Sequence, residues 1–336
     1  MSNRFDIAVV GATGLVGETM LAILAERNFP VGRLVPLASA RSADRMVEFR
    51  GEALPVQVLD DFDFKDISFA LFSAGAGVSA AHAPRAVGAG AWVIDNTSQF
   101  RYDPAIPLVV PEVNGHALDC PRGIVANPNC STIQMVMALA PIHRAVGIER
   151  INVATYQAVS GAGRSAVARL RRDTEARLAG KEPVVEAAGL SIAFDVVPQI
   201  DVFLDNGYTK EEMKMVWETR KILEDDRIMV NPTAVRVPVF HGHSEAIHIE
   251  TRTKVTVPEV QKLLNSTPGV QVFDERAPGG YPTAVSQGAH RDSVFVGRIR
   301  EDISHPRGIN LWVVADNVRK GAALNSVQIA ETLANT

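Results

Sequence analysis

The residue of this chain best suited to nucleophilic chemistry is a cysteine set between polar neighbours. Cys130 lies in the stretch ANPNCST, and Cys120 is the second of only two cysteines among the 336 residues. Cys130 follows a predicted strand and precedes an apolar helix, so N–H groups at the helix start would stabilise its thiolate. Cys120, in HALDCPRG, has no such helix start. For Cys130, the local sequence leaves both a nucleophile and an inert buried thiol open.

A thiol next to a nicotinamide can attack an aldehyde and pass through a thioester, and this chemistry needs an acid or base. His243 in RVPVFHGHSEAIHIE is the candidate, because Gly242 interrupts the strand pattern where glycine often marks a bulge. Arg236 lies seven residues earlier, which places the two side chains on opposite faces of an unbroken strand. Pro238 and Gly242 would have to bend or bulge that strand. A structural histidine and a surface arginine remain the alternatives.

A glycine-rich turn near the amino terminus predicts a dinucleotide site. The stretch VVGATGLVGE places Gly11, Gly14 and Gly17 after a strand and at the start of a helix. This spacing is a variant of the dinucleotide fingerprint, in which glycines allow close backbone approach to a pyrophosphate at a helix N-terminus. A purely structural turn is the alternative.

The end of the second apolar run indicates which dinucleotide would bind. An NAD site would carry Asp or Glu there, whereas this chain has Ser39, Arg41 and Ser42 in the stretch ASARS. Hydroxyl and guanidinium donors suit a 2′-phosphate, so NADP is favoured over NAD. Asp44 adds a negative charge three residues from Arg41, and a solvated loop is the alternative interpretation.

Alternating strands and helices must position these residues. Apolar runs at 5–10, 33–39, 67–74, 91–97 and 123–129 alternate with helical stretches such as 17–28, which predicts a parallel, doubly wound sheet. We place this first domain at 1–127. The amphipathic C-terminal helix would complete it over about 318–336, packing back through Leu324, Val327, Ile329 and Leu333.

The chain changes character after Cys130. Residues 149–161 and 234–255 alternate over long distances, which is typical of antiparallel strands with one polar or interfacial face. We predict helices at 163–180, 209–224 and 258–266, and an α+β domain over 128–317. The uncovered face of such a sheet predicts a homodimer, with a tetramer as the alternative.

Composition excludes several classes of protein. The net charge is −4, and the densest basic cluster, Arg169 to Arg177, is interleaved with acids as in a salt-bridged helix rather than a nucleic-acid patch. No run of 18 apolar residues is present, and the charged start does not resemble a signal peptide, so we expect a cytoplasmic protein. Two cysteines without metal-ligand spacing predict thiols and no metal site.

Eight ordered segments resemble the aspartate-semialdehyde dehydrogenase family, whose fold is related to that of the glyceraldehyde-3-phosphate dehydrogenases. They span essentially the whole chain: GATGLVG, ASARS, VIDNTSQFRYDPAIPLVVPEVN, ANPNCSTIQM, TYQAVSGAG, YTKEEMKM, RVPVFHGHSEAIHIE and INLWVVADNVRKGAALN. The resemblance implies a Rossmann-type domain joined to a catalytic and dimerisation domain of the glyceraldehyde-3-phosphate dehydrogenase type.

The resemblance also implies an activity, that of an NADP-dependent phosphorylating aldehyde dehydrogenase. The enzyme would interconvert L-aspartate 4-semialdehyde plus inorganic phosphate with 4-phospho-L-aspartate, in the biosynthesis of lysine, threonine, methionine and diaminopimelate. Cys130 matches the nucleophile that forms the thioester, His243 the acid–base residue and Gln157 the residue that orients the substrate carbonyl.

Further site residues follow from the same resemblance. Arg236 would clamp the substrate carboxylate, and Glu211 would meet its ammonium group. Arg101 and Lys214 match the phosphate site, and Asn129 is a neighbour that could hold phosphate or the thioester oxygen. The positions matching the cofactor site are Gly11, Thr13, Gly14, Leu15, Val16, Gly17, Ser39, Arg41, Ser42, Ser160, Gly161 and Asn317.

Two other functions compete with this one. An N-acetyl-glutamyl-phosphate reductase shares the fold and the thioester, but its substrate has an acylated, neutral amine. Glu211 would have no ammonium group to bind there. A catalytically silent, NADP-binding regulatory relative would not need Cys130, Gln157, Arg236 and His243 together.

Overall fold

The computed structural model describes residues 4–184 and 190–335, which divide into two compact units. The first unit combines residues up to Asn129 with Ala322–Thr336, and the second is Cys130–Gly321. A six-stranded sheet lies in each unit.

The sheet of the first unit is parallel throughout, with the strand order β5-β2-β1-β6-β7-β8. Its central strands are continuous apolar runs because helices cover both of their faces. The prediction of a doubly wound parallel sheet is confirmed. The strands are β1 Phe5–Val10, β2 Val31–Ala38, β5 Gln57–Val58, β6 Phe69–Phe72, β7 Trp92–Asp95 and β8 Ile124–Ala126.

The α-helices of the described part of this unit are α1 Leu15–Glu26, α2 Ala76–Gly88, the single turn α3 Pro111–Asn114 and α8 Leu324–Ala334. The C-terminal helix α8 packs into the same apolar core as α1, because Leu324, Val327, Ile329 and Leu333 are buried there. The four apolar side chains singled out in the sequence thus lie in the core of the first unit. A hairpin of β3 Met46–Phe49 and β4 Glu52–Pro55 was not predicted.

The second unit contains a mixed sheet with the order β10-β9-β11-β14-β13-β12. Its strands are β9 Ile148–Gln157, β10 Met229–Arg236, β11 His243–Thr251, β12 Val270–Val272, β13 Val294–Glu301 and β14 Gly308–Ala315. Helix α4, Cys130–Val146, contacts β9, β11, β13 and β14. Tyr156 and Met229, each 37% exposed, are large apolar side chains on β9 and β10 that remain accessible.

The prediction of one long strand over 234–255 is wrong. β10 ends at Arg236 and β11 begins at His243, and the two strands flank β9, parallel on one side and antiparallel on the other. The six residues between them cross from one side of β9 to the other, and Gly242 has a φ of 89°. Arg236 and His243 are therefore on different strands. Their separation of seven residues does not place the two side chains on opposite faces of one strand.

The remaining helices of the second unit confirm the predicted ones to within about two residues. They are α5 Arg164–Leu178, α6 Lys210–Leu223 and α7 Val257–Asn265. Helix α6 begins with a capping box, in which Thr209 accepts a hydrogen bond from the Glu212 N–H and the Glu212 side chain accepts one from the Thr209 N–H. On α5, Arg169 and Arg172 pair with the buried Asp173, as expected for a salt-bridged helix.

Across the two described stretches, no helix is both long enough and apolar enough to cross a membrane.

Candidate active site

The glycine turn, residues Gly11–Gly17, joins β1 to α1 in the first unit. Gly11 has a φ of 88°, a conformation that favours glycine. A β-carbon at Gly17 would lie 2.2 Å from the Gly11 carbonyl oxygen, so only glycine lets the helix start this close to the turn. The turn has the predicted strand–turn–helix geometry, and its Thr13, Gly14, Leu15 and Val16 surround the helix N-terminus, where a pyrophosphate would fit.

Donor side chains follow the neighbouring strand. β2 ends at Ala38, and Ser39 directly precedes a short 3₁₀ turn, Ala40–Ser42, on which Arg41 is exposed. β1 and β2 are adjacent and parallel, so this turn and the glycine turn are at the same edge of the sheet. Ser39, Arg41 and Ser42 place donors where an NAD site would have a carboxylate, which fits a 2′-phosphate.

A second glycine-containing turn at this edge was missed in the sequence. The stretch SAGAG at 73–77 follows β6, and the Ser73 hydroxyl donates to the Val10 carbonyl oxygen at 3.3 Å. A β-carbon at Gly11 would lie 3.1 Å from the backbone of Ser73 and Ala74. The signal that could have found this turn is a glycine pair directly after an apolar strand.

Two further predicted site residues, Arg101 and Asn129, lie in the first unit. Arg101 is 6% exposed and donates through Nη2 to the Asn96 carbonyl oxygen at 2.8 Å. Asn129 is 7% exposed and directly precedes Cys130 in the chain. Both polar side chains are therefore held by the protein rather than extended into solvent.

Cys130 is the first residue of α4, as predicted. Cys130 and Cys120 are both thiols, also as predicted. Gly321 packs against the nucleophile candidate, because a β-carbon there would lie 2.9 Å from the Cys130 Cβ. Gly321 was not predicted as a site residue, and its small size leaves room beside Cys130.

The structure gathers six predicted side chains of the second unit, which we call the polar cluster: Cys130, Gln157, Glu211, Lys214, Arg236 and His243. Gln157 ends β9 and donates from Nε2 to Glu211 Oε1 at 3.1 Å, while Lys214 Nζ donates to Glu211 Oε2 at 2.8 Å. Glu211 and Lys214 lie one turn apart on α6, as their spacing predicts. A carboxylate 6% exposed is thus shared between an amide and an ammonium group.

Two unpredicted residues extend this chain of hydrogen bonds. The Thr155 hydroxyl donates to Gln157 Oε1 at 3.2 Å, and the Asp201 carboxylate accepts from Lys214 Nζ at 2.9 Å. Although burial by itself would lower it, the pKa of Lys214 is raised because Glu211 and Asp201 hold the ammonium group. Thr155 lies two residues before Gln157, so the two side chains lie on the same face of β9. This spacing is the sequence signal by which Thr155 could have been predicted as a site residue.

His243 begins β11 and is fully buried. The Ala158 N–H donates to its Nδ1 at 3.0 Å. Burial first, and then the positive charge of Arg236, lower the pKa of His243 to about 3. The ring is therefore neutral near pH 7.

Arg236 ends β10 beside Gln157, its register partner on β9. Its Nη1 donates to the Ala158 carbonyl oxygen at 2.7 Å. Burial lowers the pKa of Arg236, while Glu211 and Cys130 act in the opposite direction. Because the pKa of an arginine side chain is ordinarily very high, the guanidinium keeps its charge and can attract both a thiolate and a substrate carboxylate.

The three cofactor candidates of this unit lie in the same neighbourhood. Ser160 and Asn317 bond to each other through their side chains at 2.9 and 3.1 Å, and the Gly242 N–H donates to Asn317 Oδ1 at 3.0 Å. A β-carbon at Gly161 would lie 3.2 Å from Arg236 Nη1 and 3.4 Å from His243 Nε2. Asn317 thus fixes both the loop before His243 and the turn after β9.

The polar cluster combines what acyl transfer to and from sulfur requires. It holds a thiol at a helix start, a neutral imidazole, an amide, a guanidinium and a carboxylate–ammonium pair. In the described parts of the chain, no three His, Cys, Asp or Glu side chains form a metal-ligand group.

Comparison with known proteins agrees with this chemistry. Residues 6–120 match the family model described as the NAD binding domain of semialdehyde dehydrogenase. Residues 139–320 match the model described as the dimerisation domain of semialdehyde dehydrogenase. The two models together cover most of the chain.

The relatives agree over nearly full length. An aspartate-semialdehyde dehydrogenase of Legionella pneumophila is 58% identical over 335 residues, which cover 99% of this chain and 96% of the relative. One from Bacillus subtilis is 50% identical, covering 99% and 98%. The crystal structure of aspartate-semialdehyde dehydrogenase II from Vibrio cholerae in complex with ASA superposes with a TM-score of 0.97 at 56% identity, covering 99% of both chains. The chain belongs to the aspartate-semialdehyde dehydrogenase family.

Proposed function

We propose that the protein catalyses the reversible conversion of L-aspartate 4-semialdehyde, inorganic phosphate and NADP to 4-phospho-L-aspartate and NADPH. The polar cluster carries this proposal, because it offers a nucleophile together with a partner for each charged group of the substrate. The relatives named as aspartate-semialdehyde dehydrogenases support the same reaction. In the reductive direction, the product is an intermediate for the biosynthesis of amino acids of the aspartate group.

Cys130 is the proposed nucleophile. Its thiolate attacks the carbonyl carbon of the acyl phosphate, the C–S bond forms, and the bond from carbon to the phosphate oxygen breaks to leave a thioester. The helix start at Cys130 and the cation of Arg236 both favour the thiolate. Gln157 and His243 are proposed to act on the carbonyl oxygen, and Asn129, next in the chain to Cys130, is a further candidate for that oxygen.

The charged residues are proposed to recognise the rest of the substrate. Arg236 binds the α-carboxylate, for which its planar fork of donors is suited. Glu211 binds the α-ammonium group, and Lys214 binds the phosphoryl group. Arg101 is the proposed phosphate ligand of the first unit. An N-acetylated substrate has no ammonium group for Glu211, so the acylated homologue is a poor fit.

The first unit is proposed to be the NADP-binding domain and the second the catalytic and dimerisation domain. The glycine turn fits a pyrophosphate, and the donors Ser39, Arg41 and Ser42 fit a 2′-phosphate. When bound, NADP exchanges a hydride with the substrate carbon that is attached to sulfur. Ser160, Gly161 and Asn317 are the cofactor candidates of the second unit.

A homodimer is proposed for the assembly. A sheet with Tyr156 and Met229 exposed has an apolar surface that a second copy would cover, and the matching family model is described as a dimerisation domain. A cytoplasmic location is proposed because a reducing compartment preserves the thiol of Cys130.

A direct assay tests the function. The purified protein, given aspartate semialdehyde, phosphate and NADP, is expected to form NADPH. C130A is expected to lose at least about 10³-fold in kcat, because the covalent route is removed, whereas C120A serves as the matched control and should keep full activity. N-acetyl-glutamate semialdehyde and NAD, tested in parallel, should support much slower turnover. Absence of NADPH with the wild-type protein, or full activity in C130A, would refute the proposal.

A further inference from the structure

Strand β7 of the first unit ends at an acid that is fully buried. Asp95 follows the apolar residues of the strand and has no exposed surface. Burying a carboxylate is costly unless hydrogen bonds hold it. Ser79 Oγ donates to Asp95 Oδ1 at 2.8 Å, the Thr97 N–H to the same oxygen at 3.0 Å and Thr97 Oγ1 to Oδ2 at 2.8 Å. The carboxylate thus accepts from more donors than the two lone pairs of an asparagine oxygen can satisfy.

These donors come from two segments of the first unit. Ser79 lies near the start of α2, and Thr97 lies in the turn that follows β7, residues 96–101, which we call the arginine turn. The Thr97 hydroxyl oxygen also accepts a hydrogen bond from the Gln99 N–H at 3.3 Å. Asp95 therefore connects the arginine turn to the start of α2, and Thr97 holds the backbone of the turn as far as Gln99.

The arginine turn ends at Arg101, the proposed phosphate ligand. Arg101 Nη2 donates to the Asn96 carbonyl oxygen at 2.8 Å, so its guanidinium is bonded to the first residue of the turn. Asn96 is itself fixed, because its N–H donates to the Phe72 carbonyl oxygen at 2.9 Å and its Oδ1 accepts from Asn127 Nδ2 at 2.7 Å. The position of the guanidinium therefore depends on the conformation of this turn.

Arg101 also interacts with Asp95 through its charge. Burial raises the pKa of Asp95, whereas its hydrogen bonds and the positive charge of Arg101 act in the opposite direction. Both residues therefore belong to one buried polar network of the first unit.

We infer that Asp95 is a positioning residue for phosphate binding, which holds Arg101 in place through Thr97 and the arginine turn. The inference rests on the proposed function, in which Arg101 binds phosphate. It adds a residue that acts indirectly, because Asp95 is fully buried. A guanidinium binds phosphate through a planar fork of N–H donors, so its orientation determines how many of these donors are used. An arginine that is already ordered also loses less entropy when the ligand binds.

The first test compares two substitutions of Thr97 in the full-length enzyme. T97V removes the hydroxyl that donates to Asp95, whereas T97S keeps a hydroxyl. With phosphate as the varied substrate, we expect its KM to rise about fivefold in T97V, as for the loss of one buried hydrogen bond, and by less than about twofold in T97S. The KM values for NADP and for aspartate semialdehyde should change little, because the arginine turn is proposed to act on phosphate alone.

T251V is the matched control for this test. Thr251 is also fully buried, and its hydroxyl donates to the Arg307 carbonyl oxygen at 3.0 Å in the second unit. T251V should leave the KM for phosphate unchanged. An unchanged KM for phosphate in T97V, or an equal rise of the KM for phosphate, NADP and aspartate semialdehyde, would overturn the inference.

A second test addresses Asp95 itself. D95A leaves its buried donors without an acceptor, whereas D95N keeps one oxygen that can accept from two of them. We expect the KM for phosphate to rise by at least about tenfold in D95A and to be intermediate in D95N. Circular dichroism checks folding, and if D95A does not fold, the comparison of T97V with T97S decides. A wild-type KM for phosphate in folded D95A would contradict the role of Asp95.

Combination with R101A tests whether the effect acts through Arg101. If it does, T97V should not raise the KM for phosphate any further in the R101A background. A further rise as large as that in the wild-type background would overturn the inference.

Hydrogen exchange separates this inference from the proposed function. If the wild-type protein fails to turn over aspartate semialdehyde, the proposed function is wrong. The exchange of residues 96–101, which needs no substrate, then tests whether Asp95 holds the arginine turn. Exchange should be faster in T97V than in T97S, and equal exchange in the two variants would overturn the inference.

Discussion

The glycine turn of the first unit and the polar cluster of the second are built in different ways. The turn is a single local segment, in which Gly11 and Gly17 are six residues apart and meet through backbone atoms. The polar cluster takes its six side chains from five elements, α4, β9, α6, β10 and β11, spread over more than a hundred residues. Steric exclusion of a β-carbon defines the turn, whereas charge and hydrogen bonding define the cluster. Mutations in the two regions should therefore have separable consequences.

The largest effect expected from this comparison of the two regions concerns the backbone of the glycine turn. In G17A, a β-carbon 2.2 Å from the Gly11 oxygen forces α1 away from the turn. Overpacking of this kind costs about 1–3 kcal/mol, so we expect KM for NADP to rise by about tenfold to a hundredfold. KM for aspartate semialdehyde should change little. G88A is the control, because a β-carbon there meets nothing within 4 Å. An unchanged KM for NADP in G17A would show that a β-carbon at position 17 does not disturb the glycine turn.

The second effect concerns stability in the unit that contains the polar cluster. Glu245, two residues after His243 on β11, is fully buried. Burial raises its pKa well above the usual value, although the Gln134 amide opposes the shift. The unfolded chain loses this proton near pH 4.3 while the folded chain keeps it. The folded state thus binds more protons, and stability falls by about 1.4 kcal/mol per pH unit above that pH until the folded-state pKa is reached.

E245Q tests this prediction because glutamine has the same shape and no acid. Urea unfolding at pH 5, 6 and 7 gives the free energy of unfolding of both proteins. As the pH rises, E245Q should become progressively more stable relative to the wild-type protein, with the largest difference at about pH 7. E48Q, at an exposed position of β3, should run parallel to the wild-type protein. Parallel curves for E245Q as well would mean that Glu245 ionises in the folded state.

A smaller effect is expected from the residue that orients Gln157. Glu211 can only accept, so Gln157 Nε2 must point toward it, and Oε1 must then accept from the Thr155 hydroxyl. T155V removes one buried hydrogen bond, worth about 1 kcal/mol, and should lower kcat about fivefold. T155S should restore it, with KM for NADP unchanged in both. In a Q157A background, T155V should have no further effect, and a full additional loss there would show that Thr155 acts elsewhere.

The smallest effect concerns the exposed donors of the first unit. R41A should lower the preference for NADP over NAD by about fivefold, because an exposed charge pair contributes up to about 1 kcal/mol. The ratio of kcat/KM for the two cofactors measures it. R33A is the matched control, since Arg33 is an exposed arginine near the start of β2 that pairs with Asp6. An equal change in both variants would indicate a general charge effect rather than recognition of the 2′-phosphate.

Local patterns predicted most helices and the parallel sheet correctly. The helix start at Cys130, the return of α8 to the first unit and the pairing of Glu211 with Lys214 all depend on short-range spacing. The failure over 234–255 is instructive, because both halves alternate as strands should. The two halves are separate strands because the chain crosses from one side of β9 to the other between them. In the sequence, only Pro238 and Gly242 indicate a break at this point.

The sequence alone determined the family, the glycine turn and the side chains able to do the chemistry, because residue types and local spacing carry this information. Only the tertiary structure decided how those side chains are used. The Ala158 N–H that donates to His243 Nδ1, the Thr155 hydroxyl that donates to Gln157 and the Asp201 carboxylate at Lys214 are contacts of this kind. The pattern of side chains does not show which backbone groups will form hydrogen bonds with them. Burial, which shifts the pKa of His243 and of Glu245, arises only when distant segments pack together.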